Sequence, residues 1–336
     1  MLASEAAAPA LRRGPDYLAG TARLSLVLAY QPGWQSLADL AEIRRHIADI
    51  ERSIAVFVLP GTLPNSVSRR QAGRRPTLVV SPGPLTGFRP QRGTVYQGKP
   101  IAKIEQLKRL TAAGVRVPRT AVLGPEMTLD PKVWGAFVVL KPGDLATSSR
   151  GIGVGLSRTE RVRYRAPADY PARHPGRRGP MIVQQFIDTG PHVEVYRVLT
   201  LFGEPLYCQR MHSREPRVGL DADDAHIEAA MIASQAFDEV ETFVAPRDVL
   251  DVARAAHAAM PEIPLKGCDI MREAGSGRLY VLEVNPGGNT WHFSSRFLAD
   301  IRRKNGAAFE QERRRQFDAM RTAARVLVEK TVSEAA

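Results

Sequence analysis

Residues 267–287 read GCDIMREAGSGRLYVLEVNPG, and this stretch decides the fold. Two apolar runs flank Ala274-Gly275-Ser276-Gly277, so Gly267–Arg272 and Leu279–Val284 are expected to form a hairpin. Glu283 and Asn285 lie two apart and project from the same face of the second strand. Asp269 lies on the first strand and can be brought alongside them. Two carboxylates and an amide oxygen make a hard, oxygen-only donor set of the kind that holds Mg²⁺ against phosphates. Two acids and an Asn on an apolar hairpin are costly to bury unless something cationic satisfies them.

Working upstream, Met181–Ile187 (MIVQQFI) reads as a strand with a polar-to-apolar end. Gln184-Gln185-Phe186-Ile187 can offer backbone amides to an adenine edge and an apolar side chain to its face. The plainer reading is a half-buried edge strand. Ala136–Leu140 is a strand running into Lys141, a position where a lysine commonly snorkels to the surface. Arg150–Gly155 (RGIGVG) is a glycine-rich turn, suited to converging N–H groups on phosphate oxygens and equally to an ordinary hairpin. Ile101–Ala113 is an amphipathic helix stopped by Gly114. His192–Phe202 and Glu204–Gln209 pair around Gly203-Glu204. Ala225–Phe237 and Pro246–Met260 read as helices, and Ala307–Val332 as one long, charged closing helix. At the N-terminal end, strand Leu24–Tyr30, helix Ser36–Ile50 and strands Ile54–Leu59 and Thr77–Val80 form a small α/β layer with a parallel sheet. It carries no glycine fingerprint for a dinucleotide.

Composition narrows the class. The 336 residues are 44% hydrophobic and 24% charged, as in an ordinary globular chain of two or three packed units. Their apolar runs are too short to cross a bilayer. Residues 1–20 are Ala-rich, contain Arg12 and Arg13 and lack a continuous apolar stretch, which reads as a loose arm. Cys208 and Cys268 cannot build a disulfide framework, which fits a reducing cytoplasm. The net charge of +12 is partly local: Arg158–Pro180 holds seven arginines, and Arg313-Arg314-Arg315 form a second run. Neither run comes with an RNA- or DNA-binding signature, so nucleic acid is not an expected partner.

The order Lys103, Lys141, a glycine-rich loop, Gln184–Ile187, Asp269 and Glu283-Val284-Asn285-Pro286-Gly287 resembles the ATP-grasp superfamily. The resemblance runs from about Lys103 to Ser295, with similarity to ribosomal-protein glutamate ligases, D-alanine–D-alanine ligases and glutathione synthetases. It implies an α/β (α+β) fold in which two subdomains clasp ATP behind a small Rossmann-like pre-ATP-grasp domain. The implied division is an arm at 1–20, the pre-ATP-grasp domain at 21–98, a linker helix and nucleotide lid at 99–183, and a C-terminal subdomain at 184–336.

The resemblance further assigns Lys103 and Lys141 to the phosphates, and Gly151 and Gly153 to the loop over them. Gln185, Phe186 and Ile187 would hold adenine. Glu194 would hold ribose, although its spacing to Arg197 is one residue off the commonest pattern. Arg210 would act with Lys141 as a catalytic residue, stabilising the transferring phosphate. Asp269, Glu283 and Asn285 would hold one or two Mg²⁺ ions, with Mn²⁺ as a substitute. Two features depart from the pattern. Pro286 follows Asn285 directly, as in the Asn-Pro-Arg of carbamoyl phosphate synthetases, but Gly287 stands in place of the Arg. Residues 158–180 look like an insertion.

The activity implied is that of a cytoplasmic ligase that converts a carboxylate to an acyl phosphate for attack by an amine. Its substrates would be small molecules or peptides, and a homodimer is compatible with it. The alternatives are phosphoryl transfer or carboxyphosphate chemistry without amide formation, and a non-catalytic nucleotide-binding module. Trp291–Ser295 would either contact substrate or pack as an aromatic lid on the core.

Overall fold

A computed structural model describes residues 22–61, 70, 72–85, 90–143, 153–230, 232, 239–287 and 290–336. The first sheet is parallel, with strands β1 (Leu24–Tyr30), β2 (Ile54–Pro60), β3 (Thr77–Ser81) and β4 (Val95–Gln97) in the order β2-β1-β3-β4. Its strand β1 is a mostly apolar run, interrupted only by Ser25, as expected of a strand covered on both faces. Helix α1 (Leu37–Ile50) links β1 to β2 and starts where the Ser36 hydroxyl accepts from the Asp39 amide at 3.1 Å. The short β4 has neither length nor alternation, and no sequence pattern singles it out.

Helix α2 (Lys103–Ala112) leads into a second, antiparallel sheet. Its strands are β5 (Thr120–Val122), β6 (Phe137–Pro142), β7 (Gly155–Arg158) and β8 (Met181–Gln185), ordered β5-β8-β6-β7, with helix α3 (Pro131–Trp134) packed beside β6. The third sheet is also antiparallel and has five strands. These are β9 (Glu194–Leu201), β10 (Glu204–Ser213), β11 (Glu239–Phe243), β12 (Leu265–Arg272) and β13 (Leu279–Pro286), ordered β11-β10-β9-β12-β13. The remaining helices are α4 (Asp224–Ala229), α5 (Arg247–Ala258), α6 (Leu298–Arg315) and α7 (Ala319–Glu334). The architecture is a mixed α/β fold.

The third sheet is covered on both faces. On one, Tyr196, Val198, Cys208, Cys268, Ile270 and Val281 pack with Leu107 and Leu110 of α2 and with Val249 and Ala253 of α5. On the other, Leu199, Leu201 and Leu265 join Leu26, Leu28, Ile43 and Ile47 of the N-terminal layer and Ala323 and Leu327 of α7 in one core. Both cysteines are buried and free. Lys266 is fully buried, its ammonium donating to the carbonyls of His257 at 2.9 Å and of Met260, at the C-terminal end of α5. Burial pushes it down to about 7.

Two expectations about helices are corrected. The closing helix is two helices: Asp318 adopts φ 45° and ψ 56°, turning the chain between α6 and α7, and Gly306 at φ 84° kinks α6 internally. Charge at helical spacing continues across Asp318, which hides that break from a periodicity argument, whereas Gly306 lies just before the expected start at Ala307 and the helix begins earlier, at Leu298. The expected helix at 225–237 is a single short element, Asp224–Ala229, and residues 231 and 233–238 lie outside the described set.

The arginine-rich stretch folds into short 3₁₀ turns and spends its charges locally. Arg158 and Arg161 each reach Asp224 at 2.8 Å, Arg163 caps the carbonyls of Glu160 and Val162, and Arg177 those of Ala168 and Tyr170. Among the described residues no helix is long and apolar enough to cross a membrane.

A left-handed conformation costs an L-residue about 1–2 kcal/mol, which glycine avoids. Asp318→Gly is therefore expected to stabilise the protein by about 1 kcal/mol, measured as a raised thermal unfolding midpoint.

Candidate active site

Asp269 and Glu283 face each other directly across β12 and β13. Between Asp269 and Ile270 the register shifts, so Ile270 pairs with Val281 and Leu282 is the extra residue of a bulge. The bulge lets Val281 enter the core with α2 and α5 while Glu283, two residues on, stands with Asp269 on the opposite face. The Asn285 side chain amide lies 3.3 Å from Asp269 Oδ2 and 3.5 Å from Glu283 Oε1, so the three groups converge.

Three cations surround them. Arg197 clamps Asp269 with both arms of its fork, Nε to Oδ1 at 2.7 Å and Nη2 to Oδ2 at 2.8 Å. Lys103, at the start of α2, places Nζ 3.1 Å from Glu283 Oε2. Lys141, on β6 of the second sheet, is only 8% exposed and interacts electrostatically with Glu283, Lys103 and Asp269. Burial pushes its ammonium down to about 8, against the pull of Glu283. Burial alone would raise the Glu283 carboxyl, but Lys103, Lys141 and Arg197 hold it well below the usual carboxylate range. Asp269 in turn raises the Arg197 guanidinium. Three cations against two carboxylates leave one positive charge in excess, a balance suited to a polyphosphate whose metal would be taken by the acids. The donor set fits Mg²⁺ in kind, two carboxylates and an amide; the Asn285 Nδ2 faces both acids here, so a turn of the amide would present its oxygen to a metal.

Two expected site residues point elsewhere. In the register of β9 and β10, Gln209 pairs with Arg197, Arg210 with Tyr196 and His212 with Glu194. Side chains alternate along a strand, so Glu194 and Arg210 share the Tyr196 and Ile270 face, away from Arg197, Asp269 and Glu283. There they meet each other, with Arg210 Nε 4.0 Å from Glu194 Oε2. The one-residue offset noted between Glu194 and Arg197 is thus a change of face. The arginine at the carboxylates is Arg197, and the sequence gives no register from which to choose it over Arg210.

The adenine expectation also changes. The Gln185 amide donates to the Arg119 carbonyl at 2.8 Å and the Phe186 amide to the Phe137 carbonyl at 3.4 Å, so neither is free for a base edge. Phe186 packs edge-on against Phe137, beneath the Arg217 guanidinium, and Ile187 is buried. Gly151 lies outside the described residues. Gly153 sits at φ 74°, where an added Cβ would come within 3.2 Å of both His174 and Pro175. Of the loop after the hairpin, Trp291 and Phe293 are buried in the core, where Trp291 also lines an apolar cavity with Leu28, Ile43 and Leu265, while His292 and Ser294 are half-buried. Gly287 has φ 111°, and a Cβ there would lie 2.6 Å from the Pro82 carbonyl oxygen. No arginine fits at that position.

No family model matches this chain, and no curated protein does. Solved structures of similar overall form include the ATP-grasp ligase PsnB complexed with a minimal precursor. That likeness is at 19% identity, covering 92% of this chain and 100% of that one, with a TM-score of 0.47. D-cycloserine synthetase DcsG is similar at 16% identity over 86% and 99% of the two chains, TM-score 0.45. D-alanine–D-alanine ligase from Bacillus anthracis is similar at 15% identity over 92% and 99%, TM-score 0.41.

The depressed Lys141 has a pH signature. Between about 8 and its ordinary 10.5 the unfolded chain binds a proton that the folded chain does not, so its contribution to stability rises with pH through that window. Below it, the charged ammonium weighs against folding. Lys141→Met is expected to raise the unfolding midpoint at pH 7, with the difference shrinking towards pH 10.5, as measured by thermal melts across that range.

Proposed function

We propose that this chain is an ATP-grasp ligase that activates a carboxylate as an acyl phosphate and joins it to an amine. The observation carrying this reading is the convergence of Asp269, Glu283 and Asn285 with Lys103, Lys141 and Arg197 on one sheet face. In it, Asp269, Glu283 and Asn285 hold the metal, which when bound supplies charge neutralisation at the ATP phosphates. Lys103 and Lys141 then turn from the carboxylates to phosphate oxygens. Lys141, short of solvation where it lies, gains most from an anionic partner.

In this reading Arg197 takes the role that the family resemblance implies for Arg210. Its fork is locked by Asp269, so it is pre-oriented towards charge that develops on the transferring phosphate and on the tetrahedral oxyanion. No protein nucleophile is required, since the substrate carboxylate attacks phosphorus and the amine attacks the acyl carbon. In this reading the glycine-rich turn at 150–155, whose residues 150–152 lie outside the described set, would keep water from the acyl phosphate. The 185–187 segment contributes the adenine wall through Ile187 and backbone carbonyls. Substrates are small-molecule or peptide carboxylates and amines.

The test is Mg-ATP turnover with pooled acids and hydroxylamine as the trap. ADP together with an acid-dependent hydroxamate is the expected result. ADP with a stable phosphorylated product would replace ligation by phosphoryl transfer, and failure to bind ATP would end the nucleotide reading. Glu283→Gln is expected to lower turnover by at least about a hundredfold while circular dichroism reports an intact fold. Turnover near the wild-type rate would remove Glu283 from the metal site.

A further inference from the structure

Helix α1 of the N-terminal layer carries a carboxylate that nothing in the reaction above uses. Asp39 is 1% exposed. Its Oδ2 accepts from the Trp291 indole Nε1 at 2.8 Å and from the Ser294 hydroxyl, and its Oδ1 accepts from Arg314 Nη2 on α6. The same Ser294 oxygen accepts from the Ser36 amide at 2.9 Å, and the Arg296 amide donates to the Gly33 carbonyl at 2.9 Å. The loop leaving the hairpin that bears Glu283 and Asn285 is therefore tied, residue after residue, to the start of α1.

The tie reaches the candidate metal ligands through few contacts. Trp291 follows Thr290, whose hydroxyl donates to the Gly287 carbonyl at 2.8 Å and whose own carbonyl accepts from the buried Tyr207 hydroxyl at 2.9 Å. The Thr290 methyl lies over Gly267, where a Cβ would come within 2.7 Å of it, and the Asn285 Cβ borders the same spot at 3.8 Å. Gly267 is the cross-strand partner of Asn285. Thr290 therefore packs beside Asn285 at one end while the indole anchors the chain at the other.

We infer that Asp39 is a positioning residue for the metal site: by holding Trp291 and Ser294 it fixes the wall against which Asn285 is seated. This inference rests on the metal-nucleotide reading proposed above and deepens it. A carboxylate that only glued α1 to α6 would set stability and nothing else. One that seats Asn285 also sets how much Mg²⁺ strengthens ATP binding, a coupling between two ligands that stability alone does not move.

The experiment is calorimetric titration of the full chain with ATP, once in EDTA and once in Mg²⁺, comparing wild type with Asp39→Asn, which keeps the shape and removes the charge. Metal-free affinity is expected to stay within about twofold, and the Mg²⁺-dependent gain to fall about tenfold, within the usual range of such couplings. Trp291→Phe retains the aromatic bulk and deletes the indole donor. It is expected to lower the same gain, and it carries the test if Asp39→Asn does not fold. Glu42→Gln removes only the half-exposed partner of Arg314, 3.3 Å away, and is expected to change neither affinity. An Mg²⁺-dependent gain equal to wild type in the Asp39 and Trp291 variants, with or without a lower melting temperature, overturns this inference alone. A wild type that binds no ATP overturns the nucleotide reading, and one that binds ATP indifferently to Mg²⁺ overturns the metal reading, taking the inference with it.

Discussion

Two carboxylates confined to one face of an otherwise apolar hairpin set the terms for everything around them. Lys103, Lys141 and Arg197 come from three other elements to hold the Glu283 carboxyl well below the usual carboxylate range, and Arg197 clamps Asp269 with its fork. Each of those elements must be placed to a few ångströms for this to work: α2 at the sheet edge, β6 in the second sheet, and β9 beside β12. The packing of α2 through Leu107 and Leu110 fixes the first, and the β9–β12 ladder fixes the third. The site is thus a statement about tertiary structure as much as about five side chains. A buried ion cluster of this kind is a poor source of net stability, because desolvation offsets much of the attraction. Its persistence in the fold is better understood as readiness for a ligand that brings its own charges.

What the sequence made legible was whatever depended on one strand at a time. Glu283 and Asn285 could be assigned to a common face because their spacing alone decides it, and the hairpin because its turn residues are explicit. The parallel N-terminal layer followed from apolar runs separated by a helix. What stayed hidden required the relation between strands. Choosing Arg197 over Arg210 needs the β9–β10 register, and that register carries a bulge between Pro205 and Tyr207. Glu194 stands on the strand face opposite Arg197 and Asp269, a difference that a single position along a strand decides. The break at Asp318 was invisible for a different reason: an aspartate in the left-handed region leaves no mark in a pattern of charges and apolar residues. For Trp291 and Phe293 both readings were open in the sequence, and the structure places them in the core.

The N-terminal layer earns its place through contact as well as through sequence order. Leu26, Leu28, Ile43 and Ile47 share a core with Leu199, Leu201, Leu265 and α7, so the layer and the five-stranded sheet are built as one packed body. The last helix supplies the middle of this sandwich. The first sheet is therefore covered in part by α7, far from it in sequence.

The meeting of Gly287 with the Pro82 carbonyl has a meaning for how such a protein can diversify. Recombination often treats an N-terminal layer as an interchangeable cassette, exchanged to bring a new substrate to an old nucleotide engine. Here the end of the third strand abuts the β12–β13 hairpin with no space for a methyl group at Gly287. A transplanted layer would have to reproduce that strand end to within a fraction of an ångström. Exchange of the layer as a unit would therefore require Pro82 and Gly287 to change together.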